Sequence, residues 1–151
     1  VQTSSPISSV VESDIEDEEQ KLVLIQAEQS IISIRTSVKQ FTNDEFSAYL
    51  IRIASTSNDI VTHLSNHPHK IQKAQRFLHH YLGATESVIS RYANTHKQLE
   101  DGQLEKNFKQ VLQNIESVFK AQHTKLLEND VFDLDVDIEV LNTLLEKQGI
   151  K

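Results

Sequence analysis

The sequence contains no cysteine, methionine or tryptophan, and it has only three glycines and two prolines among 151 residues. The absence of cysteine excludes disulfides, thiolate zinc sites, iron–sulfur clusters and a cysteine nucleophile. So few glycines and prolines cannot supply the tight turns of a β-sandwich or barrel, and they leave no glycine-rich phosphate loop. No apolar run approaches the ~20 residues that span a bilayer. What is present is typical of a soluble, helical chain of one-domain size.

The net charge of −7 is concentrated at the two ends of the chain. Residues 1–20 hold six acidic side chains and no lysine or arginine, and residues 128–151 add seven acidic side chains against two lysines. The middle, residues 21–127, holds nine acidic and thirteen basic side chains. Duplex binding needs a denser basic face, and acidic ends repel phosphate. We therefore expect no nucleic-acid partner.

The pattern of apolar residues divides the chain into a short tail and one helical domain. Residues 1–16 are rich in serine, contain Pro6 and have no sustained period, which predicts a disordered tail before a single domain over residues 17–151. From there, apolar residues recur at spacings of three and four, as on one face of a helix. The five stripes run from Leu24 to Phe41, Phe46 to Leu64, Ile71 to Tyr92, Leu104 to Val118 and Ile138 to Leu145. They predict an all-α fold of about five helices, in an antiparallel bundle or stacked hairpins.

Short polar segments predict where these helices begin and end. Asn43 lies in a run of capping side chains, so a helix is expected to begin there. Pro68 ends one helix and suits the first turn of the next. Gly83 predicts a bend or a close helix crossing, and the polar stretch Ser55–Asn58 predicts a locally weakened helix.

The acidic residues between Asp130 and Glu139 resemble a calcium loop only in their spacing. An EF-hand loop counted from Asp133 would need glycine at its sixth position and glutamate at its twelfth, and the chain has isoleucine and leucine there. A calcium loop is therefore rejected. Asp135 is better interpreted as the N-cap of the last helix, with Asp137 in its first turn.

The chain has seven histidines, and five of them lie between positions 63 and 80. His63 and His67 are four residues apart, a spacing that can place two imidazoles on one metal ion. No glutamate lies between them as the general base of a zincin, and Pro68 follows directly. Solvated or helix-terminal histidines are the preferred interpretation, and His63 and His67 stay weak metal candidates.

A polar stripe on the predicted third helix is the best candidate for a functional surface. Its members, with the adjacent Lys70, are His69, Lys70, Lys73, Arg76 and His80. We call these five residues the basic stripe. It suits binding of a phosphate, an acidic partner helix or anionic lipid headgroups, whereas an ordinary solvated helix face is the alternative.

Three segments resemble the XpaC family, bacterial proteins labelled 5-bromo-4-chloroindolyl phosphate hydrolysis proteins. The segment Lys70–Leu82, KIQKAQRFLHHYL, is similar to the basic helix of that family and its Phe-Leu-x-Tyr-Tyr-Leu sequence. Tyr92 and the segment Asp133–Leu145, DLDVDIEVLNTLL, are similar to later parts of it. His80 stands where the family has tyrosine, and Gly83 where it commonly has proline. The resemblance covers roughly residues 50–151.

The resemblance implies a place in a bacterial stress response. Genes of this family often neighbour those of TelA-like toxic-anion-resistance proteins, which implies a TelA-like partner protein. Members often carry hydrophobic N-terminal segments, which implies a cytoplasmic domain tethered to the membrane by a segment upstream of this chain.

These observations favour a noncatalytic helical interaction or scaffold domain linked to envelope or toxic-anion stress. It would present the basic stripe to a partner protein or an anionic membrane surface, with no cofactor. The heptad-like stripes also permit self-association, although burial within the monomer is their simpler use.

Two other functions are kept as alternatives. The family label implies a phosphate-ester hydrolase, in which Arg76 and Lys73 hold the phosphate and His79 or His80 transfers protons. No catalytic motif in the sequence supports an enzyme. The third hypothesis is a metal-responsive module built on His63 and His67. Tyr81 and Tyr92 fall on the apolar stripe and are expected to be packing residues.

Overall fold

A computed structural model describes residues 18–98 and 102–128 of the chain. Its helices are α1 (Glu18–Thr36), α2 (Asp44–Asn66), α3 (Ile71–Arg76), α4 (Leu82–Gln98) and α5 (Gly102–Leu127). A π-helical segment, Phe77–Tyr81, joins α3 to α4 without a break, and we call the three together the third long helix. Short 3-10 segments, Ser37–Gln40 and Pro68–Lys70, follow α1 and precede α3. The described ranges contain no strand, so the predicted all-α fold is confirmed.

The four long helices agree with the first four apolar stripes of the sequence. The stripe residues that are buried in the core include Leu24, Ile31, Phe46, Leu50, Ile71, Leu78, Val88, Phe108 and Ile115. Val38, Leu104 and Val118 are partly buried against them. The predicted tail over residues 1–16 and the predicted last helix lie outside the described residues, as do Asp135 and Asp137.

The start of α2 is fixed by the capping residue that the sequence indicates. The Asn43 side-chain oxygen accepts hydrogen bonds from the backbone N–H groups of Glu45, at 2.8 Å, and Phe46, at 3.1 Å. These N–H groups have no acceptor within the helix. The Asn43 side chain supplies that acceptor, and without it the N–H groups would have to bond to water.

Replacing Asn43 with alanine is expected to lower the free energy of unfolding by about 1 kcal/mol, because both backbone donors lose their acceptor. Asn43→Ser is the matched control, since a serine hydroxyl can accept the same bonds and should retain most of the stability. Urea denaturation of the three proteins measures the difference. Equal stability of the alanine and serine variants would contradict a capping role for Asn43.

Of two local expectations, the weakened helix at Ser55–Asn58 stays a prediction and the close crossing at Gly83 differs from the structure. Helix α2 continues through Ser55–Asn58, and the buried Ser57 hydroxyl donates to the carbonyl oxygen of Ile53 at 2.8 Å. That bond satisfies the hydroxyl without interrupting the helix. The predicted close helix crossing at Gly83 is wrong, because a Cβ atom there would meet nothing within 4 Å. The helical irregularity instead lies just before this residue, in the π-helical segment.

Contacts between side chains fix the directions of the helices. Helices α2 and α5 run parallel, because Glu45 contacts Lys109, Tyr49 contacts Gln113 and Arg52 contacts Glu116, each pair 64 residues apart. The third long helix runs antiparallel to α5: Phe77 meets Phe119 at one end, and Tyr92 meets Phe108 at the other.

Helix α1 packs against α2 on one side and the third long helix on the other. This placement leaves a surface groove between α1 and the third long helix. Within the described ranges, no helix has both the length and the apolarity that crossing a membrane requires.

Candidate functional site

A surface groove of about 660 Å³ lies between α1 and the third long helix. Helix α1 contributes one wall and the third long helix the other. The residues lining the groove are Glu19, Leu22, Val23 and Gln26 on α1, and Gln72, Gln75, Arg76, His79 and His80 on the third long helix. We call this feature the groove.

The two walls of the groove differ in chemistry. Leu22, with 53% of its surface exposed, and the partly buried Val23 place apolar surface on the α1 wall, beside the polar Glu19 and Gln26. On the facing wall, Arg76 carries a permanent positive charge beside His79 and His80, whose rings lie edge to face at 4.9 Å. Exposed apolar surface on one wall opposite basic side chains on the other suits a ligand segment with one apolar and one acidic face, and the Glu19 carboxylate adds a negative charge on the α1 side.

The members of the basic stripe do not all line the groove. Arg76 and His80 line the groove, whereas Lys73 is exposed on the same helix and is not among the groove's lining residues. Lys70 turns away and donates from Nζ to His63 Nε2 at 3.0 Å and to the carbonyl oxygen of Leu126 at 3.1 Å. Only part of the predicted patch therefore meets the groove, and the exposed His79 joins it.

His63, His67 and His69 lie around Lys70 at the C-terminal end of α2, and with Lys70 bonded to its Nε2 atom His63 has no lone pair left for a metal ion. The His63 and His67 rings stack with centroids 4.2 Å apart, and the His69 ring lies 6.1 Å from that of His67. His67 Nδ1 donates to the carbonyl oxygen of His63 at 2.9 Å, so each of the two stacked rings has one nitrogen engaged within the protein. No group of three or more metal-binding side chains occurs in the part of the chain that the structure describes.

The groove supplies cationic groups but no hydroxyl nucleophile among its lining residues. Ser30 lines an adjoining cavity of about 200 Å³, together with Val23, Gln26 and His79. Tyr81 and Tyr92 are buried core residues, as the sequence predicts. Burial raises the pKa of Tyr92 to about 12, so its phenol does not transfer protons near neutral pH. The titratable side chains that line the groove are Glu19, His79 and His80, beside the guanidinium of Arg76.

Glu28 is a buried carboxyl group that the sequence analysis missed. It is fully buried on α1, and neither carboxylate oxygen has a hydrogen-bond partner in the structure. Burial raises its pKa to about 7. It does not line the groove, so we treat it as a determinant of stability. Its position in the sequence could have indicated its burial. It lies four residues after Leu24 and three before Ile31, and both of these residues are in the core.

Comparison with known proteins identifies the family of the chain. No curated protein and no solved structure matches it. The family model described as 5-bromo-4-chloroindolyl phosphate hydrolysis protein matches residues 7–141, which is most of the chain. This match includes α1, which lies before the residues that carry the sequence resemblance, and it contains the whole groove. The chain therefore belongs to the 5-bromo-4-chloroindolyl phosphate hydrolysis protein family.

Proposed function

We propose that this chain is a noncatalytic helical interaction domain that binds an acidic, partly apolar helix of a partner protein in the groove. The observation that carries the proposal is the pairing of the exposed Leu22 with Arg76, His79 and His80 across one groove. An amphipathic helix presents apolar anchors at spacings of three and four, with acidic residues alongside them. Such a helix would bury Leu22 and pair its carboxylates with the basic wall.

The family resemblance gives this proposal a partner class and a context. It implies a TelA-like protein and a role in envelope or toxic-anion stress at the cytoplasmic side of a membrane. A protein partner accounts better for the groove than an anionic membrane does. A membrane surface requires a broad basic face, whereas here Lys70 is engaged with Leu126 and Lys73 lies outside the groove.

Binding to a purified TelA-like protein tests the proposal, and calorimetric titration gives the affinity. Arg76→Glu should weaken binding at least about tenfold, because the reversed charge faces the acidic residues of the partner helix. Lys73→Glu is the matched control, since it makes the same charge change on the same helix outside the groove. Circular dichroism checks that both variants keep their helical content.

Equal weakening by the two variants would contradict binding in the groove and indicate only long-range attraction. Binding to vesicles that contain anionic phosphatidylglycerol, without binding to the protein, would favour the membrane surface instead. A loss of affinity confined to Arg76→Glu supports the proposed site.

The alternative function is phosphate-ester hydrolysis, and one specific observation favours it. Arg76, His79 and His80 lie in a single groove, so a phosphate held by the guanidinium would have two imidazoles nearby. Purified protein incubated with 5-bromo-4-chloroindolyl phosphate is expected to show no turnover above the buffer rate. Turnover that disappears in a folded Arg76→Ala variant would overturn the noncatalytic proposal.

A further inference from the structure

A contact among three residues joins the ends of three helical elements. It lies at the opposite end of the third long helix's first half from His79 and His80, where the 3-10 segment precedes α3. Lys70, in the 3-10 segment before α3, donates from Nζ to His63 Nε2 on α2 at 3.0 Å. The same ammonium group donates to the carbonyl oxygen of Leu126 on α5 at 3.1 Å. We call His63, Lys70 and Leu126 the terminal clasp.

The backbone around Pro68 holds the clasp in position. The backbone N–H of Lys70 donates to the carbonyl oxygen of His67 at 2.9 Å, and that of His67 donates to the carbonyl oxygen of Leu64 at 3.1 Å. The His67 ring donates from Nδ1 to the carbonyl oxygen of His63 and stacks on the His63 ring. These bonds place the two side chains of the clasp within reach of each other.

Lys70 also serves as a C-terminal cap for α5. The last four carbonyl groups of a helix have no N–H partner within the helix, and Leu126 is the penultimate residue of α5. A lysine side chain at this end satisfies one of these carbonyl groups, and its positive charge is attracted to the negative end of the helix dipole. The last turn of α5 is therefore held to the start of the third long helix by this ammonium group.

The contact requires a neutral His63. An ammonium group only donates hydrogen bonds, so the Nε2 atom that accepts from it must carry a lone pair, and the ring proton lies on Nδ1. A second proton on the His63 ring would place two cations at a hydrogen-bonding distance. They would repel each other, and the bond would be lost.

The groups around His63 all oppose its protonation. They are Lys70 and His69 on the 3-10 segment, His67 at the end of α2 and His123 on α5. Burial, followed by Lys70 and then by the three histidines, lowers the pKa of His63 below its usual value. Each of these groups is either neutral or positive, and among the described residues no carboxylate acts on the ring.

We propose that the terminal clasp is an acid-sensitive switch, in which protonation of His63 releases Lys70 and with it the last turn of α5. The contact with Lys70 disfavours protonation of His63. A form in which this contact is broken and the imidazole is solvated therefore binds the proton more tightly. The clasp is therefore intact at neutral pH, weakens as the pH falls below about 6.5, and is lost below the lowered pKa of His63. The switch is independent of what the groove binds.

Amide hydrogen exchange of the whole chain, resolved by NMR, tests the switch. Rates for residues 123–128, corrected for the intrinsic effect of pH, should rise about tenfold between about pH 7.5 and about pH 5, as expected for loss of a hydrogen bond from a charged donor. Exchange in the middle of α5, around Ile115, should not change to the same extent. The imidazole nitrogen shifts of His63 should show a proton on Nδ1 at neutral pH and should titrate together with the rise in exchange.

His63→Gln gives the decisive comparison, because its side-chain oxygen can accept from Lys70 but cannot be protonated in this range. This variant should keep the last turn protected at both pH values. His79→Gln, a change at an exposed histidine of the groove, should respond to pH like the wild type. Unchanged exchange in the wild type would overturn the proposal. An acid-induced loss that persists in a folded His63→Gln variant would overturn it as well.

Discussion

Replacing Phe108 with alanine is expected to lower the free energy of unfolding by about 3–5 kcal/mol, as for other buried phenylalanines. The Phe108 ring is fully buried and stacks on Tyr92 with centroids 3.8 Å apart and planes 3° apart. It also meets Phe41 at 5.9 Å and the edge of Phe46 at 5.2 Å. The cluster joins α5 to α4, to the start of α2 and to the link between α1 and α2, so one truncation leaves a cavity where four elements meet.

Urea denaturation followed by circular dichroism measures this loss. Phe108→Leu retains most of the buried volume and should cost clearly less than the alanine variant. Leu104→Ala, one turn earlier on α5 at a partly buried position, is the matched control and should also cost less. If Phe108→Ala cost no more than Leu104→Ala, the aromatic cluster would not be the centre of the core.

The spacing of apolar residues was sufficient to predict these helices and most of their buried faces. Side chains three and four positions apart share one face of a helix, and burial of that face is the main source of helix stability in a protein. Residues such as Leu24, Ile53 and Phe108 are buried for this reason. Asn43 was predictable too, because a cap depends only on its own side chain and the next three residues.

The groove was only half predictable, because its two walls come from different helices. Periodicity places Arg76 and His80 on one face, but it does not say which helix lies beside that face. Leu22 and Val23 on α1 therefore went unrecognised as the facing wall. The contact between α2 and α5 was also inaccessible, since contacts 64 residues apart leave no local pattern in the sequence.

Two members of the basic stripe, His69 and Lys70, lie in an irregular turn that precedes the helix. Spacings of three and four keep side chains aligned only where each turn holds about 3.6 residues. Residues Pro68–Lys70 form a 3-10 turn, which winds more tightly than an α-helix. His69 and Lys70 are therefore not carried along the same line as Arg76 and His80.

The Glu28→Gln substitution is expected to stabilise the fold in a pH-dependent manner. Burial raises the pKa of Glu28 from 4.5 to about 7, so the folded chain favours the protonated acid. The carboxyl group has a higher pKa in the folded chain than in the unfolded chain. It therefore stabilises the fold fully below the pKa of the unfolded chain, and this stabilisation is lost as the pH rises through the pKa of the folded chain. Above pH 7 this loss is at most about 3 kcal/mol, because each tenfold change in proton affinity corresponds to about 1.36 kcal/mol. Glutamine resembles the protonated acid and removes the loss.

Unfolding free energies of the wild type and Glu28→Gln should therefore nearly coincide at about pH 4 and diverge by up to about 3 kcal/mol at about pH 8. Glu18→Gln, an exposed change in the first turn of the same helix, should alter stability by less than about 1 kcal/mol. A difference that is the same at both pH values would show that the Glu28 carboxyl is not held neutral by burial.

The paired measurement is needed because His63 and Glu28 affect stability in opposite directions. Protonation of His63 weakens the terminal clasp as the pH falls, whereas ionisation of Glu28 weakens the core as the pH rises. Both effects fall between about pH 4.5 and about pH 7, so in the wild type they partly offset each other. In Glu28→Gln the loss with rising pH should disappear while the loss with falling pH remains. His63→Gln should have the reverse pattern, so the two variants separate the opposing contributions of the two residues.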